Sequence, residues 1–146
     1  MRVRDLLGRK PSSVTTIDPK ADLASAVRLL MGLNIGGLPV VGSDGTPVGF
    51  LAERDVVRVV HEHRGDVANL RVNDVMRVPP ICEIDDSLEQ VMRRMTRERL
   101  RHLVVLEHGR IVGVISVGDM VKYRLEQLET ETGVLRDYVA GQRAMK

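Results

Sequence analysis

The sequence predicts an α/β fold built from two copies of one β-α-β-β-α unit, and three observations predict it. Gly113-Val-Ile-Ser-Val-Gly-Asp119, an apolar strand running into a polar turn, echoes Gly49-Phe-Leu-Ala-Glu-Arg-Asp55 sixty-four positions earlier. Val3-Arg-Asp-Leu-Leu7 is matched by Val72-Asn-Asp-Val-Met76, each a short helical turn with the pattern Val-x-Asp-apolar-apolar. Between these landmarks each copy carries a helix-period segment followed by two short apolar runs around a glycine-containing turn. At 146 residues and 43% hydrophobic, the chain can close one core shared by two half-size units.

The elements follow in order. After each short opening helix comes an extended segment, Val14-Thr-Thr-Ile17 and Pro80-Ile-Cys82, the second copy being four residues shorter here. Helices are expected over 22–34 and 87–99. In the first, Leu23, Ala26, Val27, Leu30 and Met31 recur at helical spacing; in the second, Leu88, Val91, Met92 and Met95 do so. Pro19 stands just ahead of the first helix, and Ser87-x-x-Gln90 resembles a capping box at the second. A hairpin follows each: Leu38–Val41 returning as Val48–Leu51, and Leu103–Leu106 returning as Ile111–Ile115. Asp44-Gly45 and His108-Gly109 at the tips suit the positive φ of tight turns. The unbroken apolar runs predict strands buried on both faces. A closing helix then begins near Asp55 and near Asp119.

The tail carries its own pattern. Val121, Leu125, Leu128, Thr132, Leu135 and Val139 step by fours and threes, a heptad seam that predicts either packing on the chain's own domain or self-association. Gly133 lowers helix stability by about 1 kcal/mol relative to Ala and is the expected place for a break. The division read from this is 1–66 for the first repeat, 67–125 for the second and 126–146 for a C-terminal helical extension.

Composition narrows the function. Formal charge is +2, from 22 basic and 20 acidic residues with both signs interspersed, unlike a dedicated nucleic-acid binder. Arg93, Arg94, Arg97, Arg99 and Arg101 cluster, but acids interleave them and aromatics for base stacking are lacking. Phe50, Tyr123 and Tyr138 are the only aromatics, so a bound base would lie between aliphatic groups. One cysteine, Cys82, excludes an intrachain disulfide and fits a reducing compartment. No apolar run approaches membrane-spanning length, and Met-Arg-Val-Arg-Asp lacks the apolar stretch of a secretory signal, so a cytoplasmic protein is expected. His61 and His63 at i, i+2 point apart on a helix, which argues against a metal site. No nucleophile-base constellation and no glycine-rich phosphate loop with lysine is present, so no catalysis is expected.

Ser116 and Asp119 are the leading binding candidates. A carboxylate can accept from both the 2′ and 3′ hydroxyls of a ribose, each charge-assisted bond contributing about 1.5–3 kcal/mol in a water-excluded site. A hydroxyl three residues earlier can donate to a phosphate oxygen, and free N–H groups at a strand-to-helix turn suit anions. The competing reading is that Asp119 caps the closing helix. In the first copy Asp55 stands at the carboxylate position and Ala52 at the hydroxyl position, with Arg54 available as a positive charge instead.

This order of elements, the paired Gly-x-x-x-x-x-Asp ends and the doubled Val-Val hairpins resemble the cystathionine β-synthase (CBS) domain family, and two copies in tandem resemble its paired (Bateman) module, from Val3 to about Leu125. The resemblance implies two βαββα units packed through their sheets around a pseudo-two-fold axis. It also implies two clefts for adenosine-containing ligands, with Ser116 and Asp119 at the family's Ser/Thr-x-x-Asp signature. Each cleft would join one repeat's aspartate to the other's early strand and hairpin start. Asp119 and Ser116 would thus face Ser12, Ser13, Val14 and Ile35-Gly36-Gly37-Leu38, the glycines allowing close approach of a base edge. Asp55 and Arg54 would face Val78, Pro79, Ile81 and Leu100-Arg101-His102-Leu103, with Arg101 and His102 in reach of phosphate. The implied function is a non-catalytic, energy-sensing regulatory homodimer. AMP is favoured because Ser116 serves one phosphate and no Lys/Arg cluster awaits a triphosphate. ADP, ATP and NAD(H) are the other ligands considered, and a ligand-free interaction module with an unknown protein partner is the alternative.

Overall fold

The computed structural model describes residues 1–8 and 14–144, the side chains of 134–139 and 142–144 excepted. The elements run α1 (Val3–Leu7), α2 (Leu23–Leu33), β1 (Gly37–Val41), β2 (Pro47–Ala52), α3 (Glu53–Glu62), α4 (Val72–Val75), β3 (Ile81–Glu83), α5 (Leu88–Glu98), β4 (His102–Glu107), β5 (Arg110–Ser116) and α6 (Val117–Ala144). The two helix-period segments start where Pro19 and Ser87 predict, each on a side-chain cap. Asp22 accepts from Ser25 N at 2.8 Å and Ser87 from Gln90 N at 3.5 Å, and both helices end on a left-handed residue, Asn34 and Arg99. At the tip of the second hairpin His108 and Gly109 take φ of +52° and +76°; Gly45 takes +82° in the first.

Two small sheets result. In the second unit β3 pairs parallel with β4, and β4 antiparallel with β5. In the first unit β1 and β2 form the hairpin, and the expected strand over 14–17 contracts to one parallel bridge, Ile17 to Val40. Only Ile17 is buried there, so Val14 to Thr16 have no packing reason to stay paired. Alternation along β4 confirms burial on both faces. Leu103 and Val105 join the helix-side core with Leu88, Val91 and Met95, whereas Val104 and Leu106 join Phe50 in the layer between the two sheets. That layer, with Ile81, Ile111 and Val114 at its edge, joins the units.

The cores do not follow the sequential halves. Val3 and Leu6 of α1 are buried in the second unit's core, and Val72 and Val75 of α4 in the first's. Val3 N donates to Asp86 O at 3.0 Å and Arg4 N to Ile84 O at 2.8 Å, while Leu23 N donates to Leu70 O at 3.0 Å and Val72 N to Ala21 O at 2.9 Å. Leu7 and Met76 lie against Gly113 and Gly49, where a β-carbon would collide with them. Arg4 adds ion pairs to Asp85 and Glu107, both at 3.1 Å, and its hydrogen bond and charge hold the Asp85 carboxyl below its usual range.

Two expectations change. Met31, placed on the apolar face of α2, is 77% exposed, because the buried stripe runs through Leu23, Ala26 and Leu30 and Met31 lies about 100° beyond it. The break expected at Gly133 does not occur: α6 runs unbroken from Val117 through Gly133 to Ala144, the extension continuing the closing helix. One glycine costs a helix about 1 kcal/mol, too little to stop a long one. Nothing lies within 4 Å of a β-carbon built at Gly133. Gly133→Ala is therefore expected to raise helicity of the C-terminal half, read as slower amide exchange there.

Cys82 is 3% exposed in β3, and burial, with Asp86 second, pushes its thiol up to about 12. The folded protein is expected to resist thiol-labelling reagents at pH 8 and to react fully once denatured. Among the described residues no helix is long and apolar enough to cross a membrane.

Candidate functional site: the clefts between the two units

The two aspartates are held by the same local device. Ser116 N donates to Asp119 Oδ2 at 2.8 Å and Ser116 Oγ to the same oxygen at 3.1 Å, while Asp119 N donates to Ser116 Oγ at 3.2 Å. In the first unit Ala52 N donates to Asp55 Oδ2 at 2.9 Å, the part of that arrangement which survives without a hydroxyl. Each carboxylate thus accepts the backbone N–H at the start of its closing helix through Oδ2, the structural role that the capping reading expects of Asp119. Strand ends fix the turns: Glu53 N donates to Gly36 O at 3.0 Å, and Val117 N to Arg101 O at 2.9 Å.

Around Asp55 the fold forms a cavity of about 400 Å³ at the boundary of the units, a size suited to a small-molecule ligand. The first unit supplies Phe50, Ala52, Arg54, Asp55 and Arg58; the chain beyond α4 and the end of α5 supply Arg77, Val78, Pro80, Arg99, Leu100, Arg101 and His102. Among the residues expected beside Asp55, Arg54, Val78, Leu100, Arg101 and His102 line this cavity. Pro79 is not among its lining residues, Pro80 is. Ile81 sits at the sheet-to-sheet layer, and Leu103 is completely buried under α5, on the opposite strand face from the layer.

Five arginines therefore converge on one space, which corrects the expectation that no cationic cluster is present. Arg54 and Arg58 sit on one helix, Arg77 follows α4, and Arg99 and Arg101 flank a hairpin start, so only tertiary structure collects them. Asp55 is 3% exposed, the one buried charged residue among those described. Its Oδ1 accepts from Arg77 Nε at 2.5 Å and from Arg58 Nη2 at 3.4 Å. Arg58 also approaches Glu62 at 3.5 Å, and its Nε is buried without a hydrogen-bond partner. The aliphatic-only expectation for a base also fails, because Phe50 lines the cavity and His102 stands 5.3 Å from it, centroid to centroid, at 37°.

Of the residues expected opposite Asp119, Ser12 and Ser13 lie outside the described residues. Val14 and Ile35 are partly buried, and Leu38 is completely buried in the first unit's core. Beside Gly37 the space a side chain would take is filled by the Phe50 ring, and a β-carbon at Gly36 would stand 3.1 Å from His102 Nε2. The paired glycines thus accommodate the protein's own rings at the centre of the module. Among the described residues no three His, Cys, Asp or Glu side chains gather as metal ligands. His63 Nδ1 instead lies 3.0 Å from Val59 O.

Arg58, Arg77, Arg99 and Phe50 were missed by sequence reasoning. Arg58 carried a signal, one helical turn from Arg54 and Asp55. Arg77 carried none, because the doubled pattern aligns it with Gly8.

Two sheets stacked through a shared apolar layer, with a carboxylate-capped helix at each strand end, define a tandem α/β module, and sequence comparison gives it its family. The chain belongs to the CBS domain family, whose model matches residues 3–62 and 72–126. It is similar to the CBS-domain protein ATU1752 from Agrobacterium tumefaciens, at 35% identity, covering 84% of this chain and 92% of that one with a TM-score of 0.79. The CBS domain protein PAE2072 from Pyrobaculum aerophilum, solved complexed with AMP, is 25% identical, with 90% and 99% covered and a TM-score of 0.77. Protein MJ1225 from Methanocaldococcus jannaschii is 30% identical over 111 residues, 75% of this chain and 39% of that protein, so the chain spans well under half of that relative.

Proposed function

We propose that the chain is a non-catalytic sensor that binds adenine nucleotides in the clefts between its two CBS units and acts as a homodimer. The observation that carries this is the cavity around Asp55, walled by residues of both units and rich in phosphate-binding groups. A ligand there touches both units, binds one relative orientation better and shifts the population towards it. The AMP complex of PAE2072 supports the ligand class. AMP is the first candidate at the Ser116–Asp119 cleft, where one hydroxyl serves one phosphate. ADP, ATP and NAD(H) are the candidates where arginines gather. Thermal shift against AMP, ADP, ATP, NADH and S-adenosylmethionine tests this: adenine nucleotides are expected to raise the melting temperature, and no shift from any of them contradicts the reading.

The homodimer rests on apolar helix surface repeated in both units. Val57 and Val60 on α3 are 69% and 41% exposed, and Val117, Val121, Leu125 and Leu128 on α6 between 42% and 54%. Such a pseudo-symmetric surface is self-complementary, which fits a second copy. Leu135 and Val139, the last positions of the heptad seam, lie outside the described side chains. Sedimentation equilibrium is expected to give a dimer that Val121→Glu converts to monomer; a monomeric wild-type chain contradicts it.

The second reading, an interaction module without ligand, is favoured by the capping roles of Asp55 and Asp119 in this structure. It predicts that substituting either aspartate changes stability alone.

A further inference from the structure

Asp55 is the group to which a ribose would bind if the cleft takes a nucleotide, and in this structure it already holds a cation. Arg77 reaches it from the segment after α4, at 2.5 Å from Nε to Oδ1, although the Arg77 side chain is 65% exposed and the Asp55 side chain only 4%. Its backbone is clamped in place: Arg77 N donates to Phe50 O at 3.0 Å, and Phe50 N to Arg77 O at 2.9 Å. The side chain is thus a largely exposed cation on a fixed mount, at the mouth of a buried carboxylate. Ribose hydroxyls and the Arg77 guanidinium compete for the same oxygen.

We propose that Arg77 is a built-in latch on Asp55, released by ligand phosphate, so that the Asp55 cleft selects nucleoside di- or triphosphates over the nucleoside. This rests on the cleft binding nucleotides at all. Asp55 and Glu62 face Arg58 and Arg77, which leaves three of the five guanidiniums around the cavity without a carboxylate partner. Among the described residues, Arg54, Arg99 and Arg101 have no carboxylate at ion-pair distance, and Arg58 keeps a buried Nε without an acceptor. A diphosphate or triphosphate brings charge close to that excess and gives the Arg77 guanidinium a bidentate alternative to Asp55. A bare nucleoside has nothing to offer Arg77 and must displace it unaided. The selectivity therefore arises as an exchange of partners and not as added affinity alone.

Removing the latch leaves Asp55 capped by Ala52 N and paired with Arg58, so the fold is expected to tolerate it. The test is calorimetric titration of Arg77→Ala, with Arg77→Gln as a second variant, in an Asp119→Ala background that isolates the Asp55 cleft. Adenosine, AMP, ADP and ATP are the probes. Adenosine is expected to bind the Arg77 variants about tenfold more tightly than the parent, one charge-assisted bond's worth of competition. ATP is expected to bind them no more tightly, so the ratio of ATP to adenosine affinity falls at least about tenfold. Unchanged adenosine affinity, or an unchanged ratio, overturns the latch while leaving nucleotide binding intact. Binding of none of the four probes to parent or variants overturns the nucleotide reading of this cleft, and the latch with it.

Discussion

Asp119→Ala is expected to weaken adenine-nucleotide binding at its cleft by about 2–4 kcal/mol, a loss of roughly 30- to 1,000-fold. Two charge-assisted bonds to ribose hydroxyls would account for a loss of that size. The structure adds a second consequence. Asp119 Oδ2 accepts from both Ser116 N and Ser116 Oγ, so the substitution also removes the carboxylate half of the capping box of a 28-residue helix, while Ser116 Oγ still accepts from the backbone N–H at 119. That loss is expected to lower stability by about 1 kcal/mol, read in a denaturant melt without ligand. Binding and stability separate the two roles: a variant that loses the expected stability and keeps full nucleotide affinity shows Asp119 to be a cap alone. Ser116→Ala offers an intermediate case, since it removes the hydroxyl and leaves the Ser116 N to Asp119 bond in place.

Leu6→Ala is the substitution expected to cost most in stability, about 2–4 kcal/mol, because Leu6 is 5% exposed in a core that cannot collapse around the gap without moving α5 and β4. The location of the effect is more informative than its size. Leu6 lies at the N-terminus, yet its neighbours in the core are Val3, Leu88, Leu103 and Ile115 of the second unit's cluster. Hydrogen exchange is therefore expected to speed up first in α5, β4 and β5, with α2 and β1 least affected. Loss of protection confined to α2 and β1 would contradict the exchanged packing of the opening helices. The exchange bears directly on the clefts, because the segment following α4 is what carries Arg77 to Asp55.

Much of this architecture was legible in the residues. Hairpins announce themselves through Asp44-Gly45 and His108-Gly109, because a tight turn demands positive φ and few residues supply it. Helix starts were legible at Ser87 through its side-chain acceptor and at the first helix through Pro19 just ahead of it; the cap by Asp22 emerges only in the structure. The paired aspartates stood out because the chain repeats them in register. What stayed hidden depends on contacts between distant segments. The crossing of α1 and α4 into each other's units leaves no periodic trace, as Val3 and Val72 are apolar whichever core they enter. The family resemblance brings Arg54 and Arg101 to one cleft, but the size of the arginine cluster was invisible, since Arg58, Arg77 and Arg99 join it from three separate segments and look like ordinary solvated charges one at a time. Phe50 shows the limit of composition: a chain poor in aromatics can still place one where a ligand would meet it. The 14–17 segment shows the converse, a β-rich stretch that stays unpaired apart from Ile17 because only that side chain has a core to enter.

The most direct measurement is calorimetric titration of the purified wild-type chain with AMP, followed by ATP, NADH and S-adenosylmethionine. The account predicts saturable binding of AMP that is lost from one class of sites in Asp119→Ala, with the stoichiometry reporting whether the Asp55 cleft fills as well. No heat and no stabilisation from any of the four ligands, with the chain folded, would contradict it and leave the ligand-free interaction module as the function to pursue.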